Sequence, residues 1–360
     1  MNENVKIENM KLLAQYRNKL WKNPKLTYLF FEITDSCNMS CIHCGSRSSP
    51  HNKKFLQYEA VKSVLEDVAA RYEADKIMVC LTGGEPMLHP DFYRICKCAK
   101  DLGFLCGITT NGTLIDENAA EKIKENGIRS VAISLDGTRN THEWFRSTLG
   151  SYKKTVDGIR NLAKVALNDI AVQVTTVVHK ENIEQLDDIY EVVLSTKADS
   201  WRLVNMDPIG RAKDNANLLL DKEDYNYLFN YIREKRFSHD VPIHVTYGCS
   251  HYLGTDLEGF LRDYYFLCGS GIYVGSVLCN GDVFGCLDIE RRPELVQGNI
   301  FTDSFVDVWE NRFDDYRRDR CEDSEECRLC SDREFCVGDS MHTWNFDKRI
   351  PEICYKKILK

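Results

Sequence analysis

Six short apolar runs recur between residues 27 and 206, and a stretch of helical periodicity separates each from the next. They cover 27–34, 77–82, 104–110, 130–136, 171–178 and 200–206 and are rich in Val, Ile, Phe and Thr. Bounded by Gly, Asn and Asp, such runs read as buried strands. The stretch 54–72 places Leu56, Ala60, Val64, Leu65 and Val68 on one helical face, and further helical patterns fall near 90–101, 116–126, 151–167 and 182–195. Parallel strands need crossovers of this length, so the alternation predicts an α/β chain with a parallel sheet. Six βα units predict a partial (β/α)6 barrel. Functional residues in such folds collect at the C-terminal ends of the strands. A short amphipathic helix at 6–22 precedes the barrel, and a last helix at 221–236 closes it. Pro242, several glycines and crowded cysteines then break the pattern. The expected division is a helical segment at 1–26, a barrel domain at 27–236 and a small cysteine-rich domain at 237–360.

Composition narrows the function. The 360 residues are 28% charged and 43% hydrophobic, an ordinary globular balance. No apolar run is long enough to cross a membrane, and the polar N-terminus lacks the apolar core of a signal peptide. The expectation is a cytoplasmic protein without a membrane partner. Net charge is −8 with no basic stripe, so nucleic acid is not an expected partner. The dense, mixed charges from Asp303 to Glu334 read as a solvated surface. The sixteen cysteines stand out. In a reducing compartment, clustered cysteines point to metal ligands rather than disulfides.

One cluster, Cys37, Cys41 and Cys44, follows the first strand as C-x-x-x-C-x-x-C. Thiolates suit soft metals. A [4Fe–4S] cluster normally takes four cysteines, so three leave one iron open to a substrate or cofactor. A zinc site completed by His43 or a distant residue is the bland alternative.

This loop resembles the signature of the radical S-adenosylmethionine (SAM) superfamily, C-x-x-x-C-x-Φ-C, with His43 at the position that is often aromatic. The resemblance implies that SAM chelates the open iron through its amino and carboxyl groups. One electron then cleaves a carbon–sulfur bond, and the 5′-deoxyadenosyl radical takes hydrogen from a substrate. TGGEP at 82–86 ends the second strand and looks like the family's GGEP motif. Gly83 and Gly84 let backbone approach a ligand closely, and Glu85 is the implied acceptor for SAM's ammonium group. TTNG (109–112), with Asn111, ends the third strand, and SLDG (134–137) ends the fourth. As isolated motifs each is also a plausible turn. In related peptide-modifying members the serine of SLDG and an arginine twelve residues later contact SAM's ribose and carboxylate. Ser134 and Arg146 have that spacing, and a guanidinium is a suitable carboxylate clamp; a plain surface role for Arg146 is the alternative.

The C-terminal cysteines resemble the SPASM domain, which carries auxiliary iron–sulfur clusters. Cys268 and Cys286 enclose Gly281 as C-x12-G-x4-C, and Cys327, Cys330 and Cys336 form C-x2-C-x5-C ahead of Cys354. The second set implies one complete auxiliary cluster. The first is short of ligands, because Arg262 and Ser340 occupy positions where the family has cysteines. Cys249, Cys279 or Cys321 are candidates to complete it, or that cluster is open or absent. Cys80, Cys96, Cys98 and Cys106 match no motif and read as small buried apolar residues.

The resemblance implies a radical SAM enzyme acting on a peptide or protein, as in cross-linking of ribosomal peptides. It also implies an electron donor of the flavodoxin, ferredoxin or reductase kind. The alternatives are a formylglycine-forming sulfatase maturase or a cofactor-biosynthesis enzyme. Maturases place an aspartate directly after the cysteine matching Cys286; here Leu287 follows, and Asp288 is one position on. About 26 residues before the first strand leave no room for a leader-binding domain, so a separate protein would bind any leader. An iron–sulfur electron carrier would not need GGEP or an open-iron loop, and a zinc scaffold would be colourless.

Overall fold

A computed structural model describes residues 3–238 and 241–359. Helix α1 (Glu3–Lys22) leads into β1 (Tyr28–Thr34), α2 (Tyr58–Arg71), β2 (Met78–Gly83), α3 (Phe92–Asp101) and β3 (Leu105–Thr110). Then come α4 (Glu117–Glu125), β4 (Ile128–Ser134), α5 (Arg139–Phe145), α6 (Ser151–Ala166) and β5 (Ala171–Val178). The barrel units end with α7 (Leu186–Thr196), β6 (Ser200–Asn205) and α8 (Lys222–Phe237). Strands β1 to β6 pair in sequence order, all parallel. This is the six-unit half-barrel that the strand–helix alternation predicts.

The period-two alternation of the strands sorts their side chains. Leu29, Phe31 and Ile33 of β1, Val79 and Leu81 of β2, and Val131 and Ile133 of β4 are buried among Val61, Leu65 and Val68 of α2 and Ile95 of α3. Each such side chain contributes about 1.5–3 kcal/mol. The alternate positions are more polar: Glu32, Thr82, Ser134, Thr175 and Arg202. Register aligns Ser134 with Thr175 and Thr175 with Arg202, so one polar row runs across β4, β5 and β6.

The sheet does not stop at six strands. Strand β7 (His244–Tyr247) adds in parallel to β6. Strand β8 (Val274–Val277) adds in parallel to β1, and β9 (Asp282–Phe284) and β10 (Gly298–Asn299) continue antiparallel beyond it. The result is one ten-stranded sheet in the order β10-β9-β8-β1-β2-β3-β4-β5-β6-β7. The cysteine-rich region is therefore hydrogen-bonded to the barrel sheet at both of its ends. Helix α1 packs on that region too. Met10 is buried against Tyr252 and Phe266, and Arg17 donates to the carbonyls of Glu334 and Phe335 at 2.9 and 3.2 Å. No described helix is long and apolar enough to cross a membrane.

Candidate cluster and cofactor site

Beyond β1 the chain turns into the loop of Cys37, Cys41 and Cys44. Cys37 and Cys41 are buried, and all three thiols lie close enough to disfavour one another's ionisation. Burial pushes the Cys37 thiol up to about 12 and the Cys41 thiol up as well. Thiolates gathered here need cations to stay ionised, and the irons of a cluster supply that charge. The donor set thus fits an iron–sulfur cluster held by three thiolates.

The loop is held from both sides. Gly84 N donates to Thr34 O at 2.8 Å and Glu85 N to Ser36 O at 2.9 Å. A Cβ on Gly84 would lie 2.1 Å from Ser36 O, and one on Gly83, where φ is +143°, would lie 2.2 Å from Thr34 O. Only glycine lets the end of β2 lie this close to the cysteine loop. These glycines therefore serve the loop's own backbone, a role that spacing alone does not show. On the other side Arg211 donates from Nε to Cys41 O at 2.7 Å and from Nη2 to Ser48 O at 2.8 Å. Asn215 donates to Ile42 O at 2.9 Å. Gly210, at φ +57°, would place a Cβ 2.2 Å from Gly45 O. Nothing in the sequence pattern marked Gly210, Arg211 or Asn215, because their partners lie some 170 residues earlier.

Glu85 is fully buried. Its Oε1 accepts from Thr110 Oγ1 at 2.8 Å and Met87 N at 3.2 Å, and its Oε2 accepts from Asn111 N at 2.8 Å. Burial pushes its carboxyl up, and these donors pull it down. Asn111 Nδ2 donates to Asn38 Oδ1 at 2.7 Å and lies 4.0 Å from Cys37 Sγ. Glu85 and Asn111 are thus brought together beside the cluster loop.

Arg146 caps the end of α5 and is buried, so it is not a plain surface residue. Its Nε meets Asp136 Oδ2 at 2.5 Å, and its Nη1 lies 3.7 Å from Cys41 Sγ. Asp136 Oδ1 accepts from Val177 N at 2.8 Å. Burial pushes the Asp136 carboxyl up, and the Arg146 guanidinium more than offsets this, holding it below the usual carboxylate range. Three rings stack beside this pair. His43 lies on Phe145 with centroids 4.1 Å apart, and Phe145 lies on His179 at 4.0 Å. His43 Nδ1, His142 Nε2 and His179 Nε2 are buried without a partner among the described residues. Burial pulls His142 and His179 down to about 4, so these imidazoles stay neutral near the Arg146–Asp136 pair.

Ser134 is half-buried at the end of β4 and joins none of these side-chain networks. It heads the polar row, however, and the next two members carry buried unpartnered atoms, Thr175 Oγ1 and Arg202 Nε. Orphaned polar atoms out of solvent are costly unless a ligand meets them. Their place in one polar row across β4, β5 and β6 fits a polar ligand on that face of the sheet.

The C-terminal thiols fall into two groups. Cys327, Cys330, Cys336 and Cys354 share one region, where Lys356 Nζ lies 3.6 Å from Cys330 Sγ. Cys321 stands with them, next to Cys327 and Cys336. Cys268 and Cys286 form the second group. Cys249 is elsewhere, accepting from Asn205 N at 3.3 Å, and Cys279 neighbours Glu32 and Asp35. None of the three spare cysteines therefore sits with Cys268 and Cys286. Cys96 and Cys106 are fully buried small side chains, and Cys80 and Cys98 are half-buried.

The comparisons with known proteins agree with this geometry. Residues 31–193 match the Radical SAM superfamily, and residues 268–331 match SPASM, an iron–sulfur cluster-binding domain. The AdoMet-dependent heme synthase of Methanosarcina barkeri is 27% identical over 336 residues, spanning 88% of this chain and 90% of that one. The mycofactocin maturase MftC of Mycobacterium tuberculosis is 27% identical over 320 residues, spanning 87% and 78%. Among solved structures, native anSMEcpe with bound AdoMet and Cp18Cys peptide shares the fold at a TM-score of 0.72, with 21% identity over 93% of this chain and 94% of that one. Streptococcus suis SuiB bound to S-adenosylmethionine superposes at 0.69, with 16% identity over 88% and 73%. The chain belongs to the radical SAM superfamily and is an enzyme with a C-terminal SPASM iron–sulfur domain.

Proposed function

We propose that this enzyme reductively cleaves SAM and uses the 5′-deoxyadenosyl radical to take hydrogen from a peptide or protein substrate. The observation that carries the reading is the cluster loop itself. Buried Cys37 and Cys41, with half-buried Cys44, stand beside a fully buried Glu85 and an Arg146 guanidinium. When bound there, a [4Fe–4S] cluster supplies the electron that breaks SAM's carbon–sulfur bond. In this reading the three cysteines hold three irons. Gly83, Gly84 and Glu85 meet SAM's amino group, Asn111 and Ser134 its polar edge, and Arg146 its carboxylate. Cys327, Cys330, Cys336 and Cys354 hold an auxiliary cluster. Residues 27–236 act as the radical-generating domain and 237–360 as the auxiliary-cluster domain, with α1 strapped across the latter. An external one-electron donor such as a flavodoxin, ferredoxin or reductase is required, and a separate leader-binding protein fits a leader-bearing substrate.

The peptide class draws support from relatives. The MftC maturase spans most of the chain, and SuiB and anSMEcpe share its fold in structures bound to a precursor peptide and to a Cp18Cys peptide. A second reading, cofactor biosynthesis, is favoured by the heme synthase relative. Anaerobically reconstituted enzyme with SAM and reductant separates the two. SAM cleavage stimulated by a short peptide encoded beside the gene, with loss of a hydrogen pair from that peptide, is expected. Stimulation by an iron porphyrin alone would overturn the peptide assignment.

A further inference from the structure

The positions where SPASM domains carry two further thiolates are engaged elsewhere in this chain. Arg262 is fully buried, and its guanidinium donates to Cys249 O, His251 O and Glu258 Oε1, each at 2.6 Å. It ties the 249–262 loop together and has no capacity to accept a metal. Ser340 is also fully buried, and its Oγ accepts from His342 N at 3.1 Å. That hydroxyl shapes the turn that presents His342. The residues present therefore do not make a four-thiolate site around Cys268 and Cys286.

They make a different one. Cys286 Sγ lies 3.4 Å from His342 Nε2. One ligand atom each from Cys286, Asp288 and His342 lie within 4.8 Å of one another. Donors to a single ion crowd in this way, because metal–sulfur and metal–nitrogen bonds are only about 2.0–2.3 Å long. Thiolates on different irons of a cubane stand farther apart. Among the described residues, neither the thiols of Cys37, Cys41 and Cys44 nor those of Cys327, Cys330, Cys336 and Cys354 form such a crowded set. Cys268 lies near Cys286 but outside this crowded set. A thiolate, an imidazole and a carboxylate together suit zinc or iron(II).

We propose that Cys286, Asp288 and His342 bind a single divalent zinc or iron ion in place of one auxiliary cluster. The site faces the barrel mouth. Arg291 meets Glu32 of β1 at 2.6 Å, and Glu290 meets Lys213, next to the segment that holds the cysteine loop, at 2.6 Å. Asp288 is exposed, so a substrate donor can exchange with its carboxylate.

The test is the ratio of metal to acid-labile sulfide in full-length enzyme reconstituted with iron and sulfide in the presence of zinc. With two [4Fe–4S] clusters and one separate ion, about eight sulfides and about nine metal ions per chain are expected. Asp288→Asn and His342→Ala should each lose the extra ion and keep the sulfide. Asp288 is exposed, so its variant retains the readout if His342→Ala fails to fold. About twelve sulfides per chain would overturn the proposal, as would an extra ion that survives both variants or the absence of any ion beyond the sulfide-matched iron.

Discussion

Replacing Arg146 by Met keeps the apolar stem and removes the guanidinium. Asp136 is fully buried and would be left with one donor, Val177 N at 2.8 Å. Breaking a buried pair from one side costs about 3–5 kcal/mol, because the remaining charge is uncompensated. The pH dependence carries the signature. In the wild type the folded Asp136 titrates below its unfolded value. Its contribution to stability is therefore present above the unfolded pKa, about 3.9, and is lost as pH falls. In Arg146→Met the sign reverses: burial raises the folded pKa, the penalty is full at neutral pH, and it fades as pH falls and the carboxyl takes a proton. The variant's deficit should thus shrink between pH 7 and about 4. Adding Asp136→Asn should recover about 2 kcal/mol or more, the coupling expected of a buried charged pair. Anaerobic denaturation followed by circular dichroism at several pH values measures all three proteins. A deficit below about 1 kcal/mol at pH 7, or one independent of pH, would refute the reasoning, since a pair worth that little behaves as a surface pair. If Arg146 also meets SAM's carboxylate, the variant's SAM affinity should fall by about 1.5–3 kcal/mol, the worth of a hydrogen bond to a charged group.

Four further outcomes follow from the same geometry. Gly84→Ala should reduce iron loading of the first cluster, read by iron analysis, because its Cβ would lie 2.1 Å from Ser36 O. Arg211→Ala should loosen the loop at Cys41 and Ser48 and lower iron retention on chelator challenge, while leaving the C-terminal cluster intact. His142 and His179 are pulled from 6.5 to about 4, so the stability they contribute is present above about pH 6.5 and lost on acidification toward pH 4. Melting temperature should fall through that window, less so in His179→Phe. His251 is raised to about 10 between Asp207 and Asp339, so its contribution is complete below about pH 6.5 and is lost only as pH rises through about 10. His251→Leu would leave the Asp207 and Asp339 carboxylates without this buried cation and should destabilise by about 3–5 kcal/mol at neutral pH, read by denaturant titration.

Much of the barrel was legible because its information is local. Each of the first six strands is a short run rich in apolar residues, most of them followed closely by Gly, Asn or Asp, and the helices between them carry one apolar face. The motifs at strand ends followed from that frame, since a parallel sheet brings successive C-termini to one rim. The additions to the sheet were not legible. Strands β7, β8 and β9 have only four, four and three residues, too few to show a period. Helix α5, which sets Phe145 and Arg146, has seven residues and no side-chain cap. Arg211 shows no signal because it acts on carbonyls, which any sequence supplies. Asp288 and His342 carry no donor signal in the sequence, because cysteine spacing marks thiols alone, whereas this set mixes residue types from segments over fifty residues apart. The offset of Asp288 from Cys286 was visible, but only His342 gives it a meaning.

The central claim is that Cys37, Cys41 and Cys44 support reductive cleavage of SAM. The direct measurement is 5′-deoxyadenosine released by anaerobically reconstituted enzyme with dithionite and SAM, compared with the variant carrying Cys37→Ala, Cys41→Ala and Cys44→Ala. Release by the wild type and none above background by a folded variant that keeps its C-terminal iron is expected. Equal release from both proteins would contradict the account.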